Sequence, residues 1–232
     1  MKTLIVIPAY NEEESIVRVV EHLKEVLPTY DYVVINDGSK DRTRDLCKEH
    51  GYPLIDQRIN LGLSGTFQCG MRYALRHGYD AVIQFDADGQ HRPEYIPAME
   101  KKIEEGYDIV IGSRFVDRPK PRSMRMFGNN MIELFTRLVT GKDIHDPTSG
   151  MRMYGKRIIR FMAEQINLAP EPDTISYLMR CGAKVTEVPV EMDERLAGES
   201  YLTVWKSMQY MMNVCVSILV IGAFRPRIIL EE

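Results

Sequence analysis

The chain is organised around the stretch Gln84-Phe85-Asp86-Ala87-Asp88-Gly89-Gln90-His91-Arg92-Pro93-Glu94. The apolar run just before it, residues 81–85, predicts a buried β-strand, and Pro93 suits the first turn of a helix. Asp86 and Asp88 therefore fall where a strand becomes a loop. Two carboxylates one residue apart, followed by a glycine and a carboxamide, supply hard oxygen ligands that suit Mg²⁺ or Mn²⁺ rather than zinc. An ordinary turn is the alternative, because Asp and Gly are common in turns that bind nothing.

Upstream and downstream of this stretch, strands alternate with helices. Strands are predicted at residues 4–7, 32–35, 54–56, 81–85 and 108–111, with helical patterns between them. This alternation with short connections is typical of an α/β fold with an open, mostly parallel sheet and helices on both faces. Such sheets bind ligands beyond the carboxyl ends of their strands. Residues 8–10, Asp37 and the acidic pair all fall at such ends, so we expect them to share one crevice.

The start of the first helix is predicted from a polar cluster. Asn11 is expected to be its N-cap, and Glu12, Glu13 and Glu14 are expected to occupy its first turn, where acids favour the helix dipole. A polar helix is similarly predicted over residues 41–50. The first half of the chain is therefore expected to contain regular βα units.

The second half departs from this regular alternation. A basic loop containing two prolines follows residue 111, and a helix predicted over residues 126–139 is apolar over a wider surface than one core face needs. Helices near 155–166 and 173–180 and a strand over 184–192 come next. The last helix, 204–224, is borderline for crossing a bilayer, and an interfacial or subunit-packing helix is favoured. We therefore expect a folded domain over residues 1–203 and an appended helix over 204–232.

Composition excludes several classes of protein. The chain has 232 residues, 44% of them hydrophobic and 27% charged, which is normal for a globular domain. A formal net charge of -3 argues against a general nucleic-acid binder. The four cysteines include no close pair, so neither a zinc site nor a disulfide framework is expected, and a reducing cytosolic setting fits best. Pro8 interrupts the first apolar run too early for a secretory signal.

Six motifs in register make the chain closely resemble the family 2 glycosyltransferases, whose fold is the GT-A fold. Residues 7–12 (IPAYNE), 36–39 (NDGS) and 86–91 (DADGQH) carry the resemblance in the first half. Residues 112–114 (GSR), 146–152 (DPTSGMR) and 195–200 (RLAGES) resemble the polyprenyl-phosphate sugar transferases of the dolichyl-phosphate mannose synthase type. The resemblance covers nearly the whole chain. Each motif is weak alone, but together they are specific.

For the nucleotide, the resemblance implies a pocket lined by Pro8, Ala9, Tyr10, Glu12, Asp37, Gly62, Asp86 and Ala87. Asp37 would accept a hydrogen bond from a base N–H. Uracil and guanine present such a ring donor and adenine does not, so a UDP- or GDP-sugar is favoured. The alternatives are that Asp37 is only a turn residue and that Gly62 serves helix packing rather than approach of the backbone to the nucleotide.

For the metal and the acceptor, the resemblance implies that Asp88 and Gln90 hold Mg²⁺ or Mn²⁺ against the diphosphate, with Asp86 nearer the sugar. The residues that would bind an acceptor phosphate are Arg114, Ser149, Arg152 and Arg195. Asp86, Asp88, Arg114 and Arg152 would thus be catalytic. A phosphate is already ionised and needs cations rather than a general base. Asp146 and Glu171 remain open as base candidates.

The predicted function is inverting, metal-dependent transfer of a hexose or N-acetylhexosamine from a UDP- or GDP-sugar to undecaprenyl or dolichyl phosphate at the cytoplasmic membrane face. The wide apolar helix and the basic loop would face that membrane, or else be a core helix and a solvated loop. Tyr201 replaces the lysine usual in relatives. Many relatives continue into several membrane spans, so we expect a small membrane protein or a homo-oligomer to complete the attachment.

Three alternatives stay open for the activity. One is a transferase acting on a saccharide hydroxyl in cell-surface polysaccharide synthesis, which would need a general base. Another is a sugar nucleotidyltransferase, which would need a glycine-rich, basic phosphate loop after the first strand, where residues 8–11 read Pro-Ala-Tyr-Asn. The last is a non-catalytic module that binds nucleotide sugars.

Overall fold

The computed structural model describes residues 1–121, 123–165, 168–194, 204–228 and 230. Its seven strands are β1 (Thr3–Ala9), β2 (Asp31–Asp37), β3 (Leu54–Gln57), β4 (Ala81–Gln84), β5 (Ile109–Ser113), β6 (Arg152–Gly155) and β7 (Val185–Pro189). They form one sheet in the order β3-β2-β1-β4-β6-β5-β7. All strand pairs are parallel except those that β6 makes with β4 and β5. The predicted α/β class and mostly parallel sheet are therefore confirmed.

Helices cover both faces of the sheet. They are α1 (Ile16–Val26), α2 (Thr43–Glu49), α3 (Gly62–Arg76), α4 (Ile96–Glu104), α5 (Met124–Thr140), α6 (Lys156–Glu164), α7 (Pro172–Arg180) and α8 (Val204–Phe224). Alternate side chains of β1 point to opposite cores: Leu4 and Val6 pack in the cluster that contains Phe67, and Ile5 and Ile7 pack in the other. A strand buried on both faces reads as a continuous apolar run, which is why β1 was predictable.

Strand β6 is the element that sequence analysis missed. It lies antiparallel between β4 and β5, with Gln84 opposite Arg152. Its four residues are all buried, so the strand shows no alternation of polar and apolar positions. The arginine at its start also makes it unlike the apolar runs that predict buried strands. Because β6 occupies the middle of the sheet, the segment 146–152 that leads into it lies beside the end of β4.

The predicted cap of the first helix is wrong. Helix α1 begins at Ile16, with Ser15 as its N-cap residue, and Asn11 instead has a positive φ of 56°. The Asn11 side-chain oxygen accepts a hydrogen bond from the Lys40 N–H (2.9 Å), and its N–H donates to Ser39 Oγ (3.0 Å). Asn11 thus ties the β1–α1 loop to the β2–α2 loop, because asparagine tolerates the left-handed conformation that this turn needs.

Helix α8 packs against α5 and α7. Ile132 of α5 lies in an apolar cluster with Val214, Cys215 and Ile218 of α8. Two hydrogen bonds also join α8 to α7. Ser217 Oγ of α8 donates to Asp173 Oδ2 of α7 (2.5 Å), and the Tyr210 hydroxyl of α8 donates to Glu171, the N-cap residue of α7. Among the described residues, no helix combines the length and hydropathy that crossing a bilayer requires.

Candidate active site

The loop after β4 holds Asp88 in a tight turn. Asp88 Oδ1 accepts a hydrogen bond from the Gln90 N–H (3.0 Å), and the side chain is buried. Gly89 supplies the turn with a φ of 79°, a conformation that residues with a Cβ rarely adopt. The turn therefore fixes the position of the Asp88 carboxylate.

Asp86 is held differently, by side chains. Its Oδ1 accepts a hydrogen bond from Gln84 Nε2 (3.0 Å), and its N–H donates to Nδ1 of the buried His91 (3.0 Å). The Asp86 side chain is 36% exposed. Gly150 adjoins it, since a Cβ placed there would lie 3.0 Å from Asp86 Oδ2. The loop before β6 thus lies directly against Asp86.

This loop fits a hard divalent cation only in part. Asp86, Asp88 and Gln90 offer carboxylate and carboxamide oxygens, which are ligands of Mg²⁺ and Mn²⁺. Within the described residues, no group of three or more His, Cys, Asp or Glu side chains could hold a metal ion. An ion held there would therefore need substrate oxygens or water to complete its coordination.

Asp37 is the last residue of β2, which lies next to β1 in the sheet. Its Oδ1 accepts a hydrogen bond from the Leu61 N–H (2.7 Å), and the residue is buried. Gly38, with a φ of 67°, lets the next loop come close, since a Cβ there would lie 2.8 Å from Asn60 N. A carboxylate has about four lone-pair positions, so this bond leaves capacity for a ligand donor.

The remaining predicted nucleotide residues lie around the same edge. Pro8 and Ala9 end β1, which lies between β2 and β4, and Tyr10 follows it; Ala87 is buried between the two aspartates. Glu12 Oε2 accepts a hydrogen bond from Ser15 Oγ (2.7 Å). Gly62 opens α3 with a φ of 70°, and a Cβ there would meet none of the described atoms within 4 Å, so close helix packing does not explain this glycine. The structure thus brings the ends of three adjacent strands together.

Arg114, which follows β5, forms a forked ion pair. Its Nε and Nη2 donate to the two oxygens of Asp146 (2.7 and 2.8 Å), which is fully buried. The Arg114 side chain remains 23% exposed and lines a pocket of about 400 Å³ together with Arg92, Arg118 and Phe115. This pocket therefore presents several guanidinium groups beside the loop that touches Asp86.

Arg152 and Ser149 are buried, whereas the resemblance implies that a phosphate can reach both of them. Arg152 Nη1 and Nη2 donate to the carbonyls of Pro170 (2.5 Å) and Pro147 (2.6 Å), and the residue is only 2% exposed. Ser149 Oγ donates to the Gly112 carbonyl (2.5 Å). Strand β6 causes this difference, because it carries Arg152 into the middle of the sheet. The predicted Arg195, like Tyr201, lies outside the described residues.

Contacts that sequence analysis missed hold the chain after β7 against the loop after β4. Arg92 donates to Asp193 Oδ1 from Nε (2.8 Å) and to Glu191 Oε2 from Nη1 (2.8 Å). Hydrogen bonding to Arg92 lowers the pKa of Asp193 below its ordinary value. The Asp193 N–H donates to the Gln90 carbonyl (2.9 Å). Partners so distant in the chain leave no local signal, whereas His91 could have been suspected because it ends the acidic motif.

Comparison with known proteins identifies the family. A family model described as "Glycosyl transferase family 2" matches residues 4–161. The undecaprenyl-phosphate mannosyltransferase of Micrococcus luteus is 30% identical over 218 residues, covering 88% of both chains. The polyprenol monophosphomannose synthase of Mycolicibacterium smegmatis is 29% identical over 220 residues, covering 87% of this chain and 81% of that protein.

Solved structures agree on the fold. The glucosyl-3-phosphoglycerate synthase of Mycobacterium tuberculosis, in complex with Mn²⁺, UDP-glucose and phosphoglyceric acid, superposes with a TM-score of 0.69 at 15% identity. The match covers 97% of this chain and 81% of that one. The predicted GT-A fold is thereby confirmed. The chain belongs to glycosyl transferase family 2.

Proposed function

We propose that this family 2 glycosyltransferase moves a hexose or N-acetylhexosamine from a UDP- or GDP-sugar to polyprenyl phosphate, with inversion and with Mg²⁺ or Mn²⁺. The observation that carries the proposal is the pocket of about 400 Å³ lined by Arg92, Arg114 and Arg118, which also contains Glu191, the partner of Arg92 and Arg118. Guanidinium groups suit a phosphate, because their donors match its oxygens in pairs. The names of the two relatives above, which refer to undecaprenyl phosphate and to a polyprenol monophosphate, support the same acceptor.

On the donor side, Asp88 and Gln90 would hold the divalent ion and Asp37 would accept the N–H of uracil or guanine. A bound ion would neutralise the charge that develops on the departing nucleoside diphosphate. Asp86, at the corner between the turn and Gly150, would face the sugar and the ribose. The residues that end β1 would line the pocket of the base, since β1 lies next to β2 in the sheet.

The acceptor needs no general base in this mechanism. Asp146, one of the two candidates for a general base, is fully buried and accepts two hydrogen bonds from Arg114. Glu171, the other candidate, accepts a hydrogen bond from the Tyr210 hydroxyl. Both carboxylates are thus engaged within the protein, which favours an acceptor that is already ionised. In the pocket lined by Arg92, Arg114 and Arg118, which we call the arginine pocket, a phosphate oxygen would attack the anomeric carbon directly.

A membrane surface is the partner that we propose for α5 and α8. Their outer faces expose large apolar side chains: Phe127, Leu134 and Leu138 on α5, and Met212, Val216 and Val220 on α8. The loop before α5 adds the exposed Arg118. Apolar side chains beside basic ones are typical of helices that lie in the headgroup region. We therefore place the protein peripherally at the cytoplasmic face, where a small membrane protein or a second copy could strengthen attachment.

One assay tests the proposed reaction. The full-length protein would be incubated with Mn²⁺, a panel of radiolabelled UDP- and GDP-sugars, and undecaprenyl or dolichyl phosphate, and then extracted into organic solvent. We expect label in the lipid phase with one nucleotide sugar, and its loss when EDTA removes the metal. Transfer of label only to a soluble saccharide acceptor would contradict the proposal.

A further inference from the structure

His91 is the buried histidine beside the acidic pair, and its hydrogen bond reveals which ring nitrogen carries the proton. The Asp86 N–H donates to His91 Nδ1 at 3.0 Å. A backbone N–H can only donate, so Nδ1 must accept, and the proton of the neutral ring must lie on Nε2. The bond therefore fixes both the orientation of the ring and its tautomer.

The protonated nitrogen faces the Asp86 carboxylate. Nε2 lies 3.6 Å from Asp86 Oδ2, and both atoms adjoin Gly150, where a Cβ would lie 3.5 Å from Nε2 and 3.0 Å from Oδ2. The Phe85 ring meets the imidazole edge to face at 5.6 Å between centroids, which limits its rotation. Met192, which follows β7, forms an isolated antiparallel β-bridge with His91 and so joins the loop after β4 to the chain after β7.

We propose that His91 is a positioning residue for the glycosyl transfer, and that its Nε2–H aims the Asp86 carboxylate at the sugar of the donor. This inference rests on the proposed function, in which Asp86 faces the sugar and the ribose. Gln84 Nε2 holds the other carboxylate oxygen at 3.0 Å, so Asp86 lies between two side-chain donors. The distance of 3.6 Å from Nε2 to Oδ2 closes to a hydrogen bond when the donor substrate fills the corner, because such bonds often tighten only in the complex.

The tautomer is the first test, and it needs no substrate. A long-range ¹H–¹⁵N spectrum at about pH 8.5, where an ordinary imidazole is neutral, distinguishes the protonated nitrogen. We expect the Nε2–H form for His91. His77 is an internal reference with the opposite expectation, because its Nδ1 lies 2.8 Å from the Tyr73 carbonyl and must donate. An Nδ1–H form for His91 would overturn the proposal.

Substitutions separate the two ring nitrogens. In His91→Asn, the side-chain oxygen can replace Nδ1 as acceptor for the Asp86 N–H, but nothing reaches Asp86 Oδ2. We expect its melting temperature and its affinity for UDP with Mn²⁺ to stay near wild type, while kcat falls about 10-fold with KM for the donor unchanged. His91→Phe, which lacks both polar atoms, should lose stability as well. Wild-type kcat in His91→Asn would show that His91 only holds the loop.

Gly150→Ala tests the same corner without removing a hydrogen bond. Its φ is outside the left-handed range, so alanine is not strained there, but the Cβ would press on Asp86 Oδ2. We expect a fall in kcat at nearly unchanged UDP affinity, and wild-type kcat would contradict the geometry. His77→Asn, at the exposed end of α3, is the control and should leave the rates unchanged.

Failure of the proposed function would look different. In that case the wild-type protein would transfer no sugar to polyprenyl phosphate, whatever residue stands at position 91. The tautomer of His91 and the effect of His91→Asn on slow hydrolysis of the nucleotide sugar would still be measurable. A hydrolysis rate equal to that of wild type would then overturn the role of His91 by itself.

Discussion

The strand ends that carry Asp37 and Asp88, which we propose to bind the sugar donor and call the donor edge, use charged side chains differently from the loop 146–152. At the donor edge, Asp37 and Asp88 each accept a hydrogen bond from a backbone N–H group, which orients the carboxylate. In the loop 146–152, buried side chains bond within the protein: Asp146 is paired with Arg114, and Arg152 donates from Nη1 and Nη2 to two carbonyls, while its buried Nε has no partner among the described residues. The first region is therefore the one that we propose for ligand binding, whereas much of the second holds its own backbone.

This difference shows that motif residues of equal apparent importance have unequal roles. Arg114 and Arg152 belong to motifs of similar strength, yet one lines a pocket and the other is buried. The number of accessible donors, rather than membership of a motif, decides which arginine can bind a phosphate. Substitutions in both regions test this division.

The largest effect is expected at the donor edge, from Asp88→Ala. This change removes a proposed metal ligand, so transfer should fall by at least about 100-fold, and Mn²⁺-dependent binding of UDP should weaken with it. Calorimetry with and without Mn²⁺, together with the transfer assay, measures both. Asp143→Ala, at an exposed aspartate that pairs with Arg137, is the matched control. Near-normal turnover in Asp88→Ala would show that Asp88 is not a ligand of a metal ion that the reaction requires.

Arg152→Met should affect folding first. It keeps an apolar stem of similar length but leaves the carbonyls of Pro147 and Pro170 unpaired, at a cost of about 2 to 4 kcal/mol in the free energy of unfolding. Denaturant unfolding monitored by circular dichroism measures this cost. If the variant is as stable as wild type and loses only transfer to the lipid, Arg152 belongs with the ligand-binding arginines after all.

Asp37→Asn tests whether the donor edge reads the base. The amide oxygen can still accept the Leu61 N–H, so the loop should remain in place while the charged acceptor for the base is lost. We expect a loss of about 1 to 3 kcal/mol in binding of UDP or GDP, measured by calorimetry. Unchanged affinity for both nucleotides would make Asp37 a turn residue only.

Arg114→Lys should give the smallest effect and the most selective one. Lysine keeps a positive charge beside Asp146 but loses the forked donors, so KM for polyprenyl phosphate should rise by about 10-fold. UDP affinity should change by less than about twofold, since the donor edge is untouched. Parallel loss of donor binding would show that the two regions are not separate.

Much of the fold was predictable, because β1 and the apolar run before Asp86 signal buried strands through their composition. The convergence of Asp37 and the acidic pair also followed, since parallel strands end at one edge of the sheet. Strand β6 escaped prediction because four buried residues with an arginine show no periodicity. The burial of Arg152 and the contact between Gly150 and Asp86 depend on β6, so neither could be inferred from local sequence.

The most direct test of the account compares two acceptors of equal chain length, polyprenyl phosphate and the corresponding polyprenol. A phosphate bound by the arginine pocket and attacking without a base predicts transfer to the phosphate only. It also predicts a rate that is flat from about pH 7 to 9, since the second ionisation of such a phosphate lies near pH ~6. Transfer to the alcohol, with a rate that rises as a base titrates near neutrality, would contradict the account.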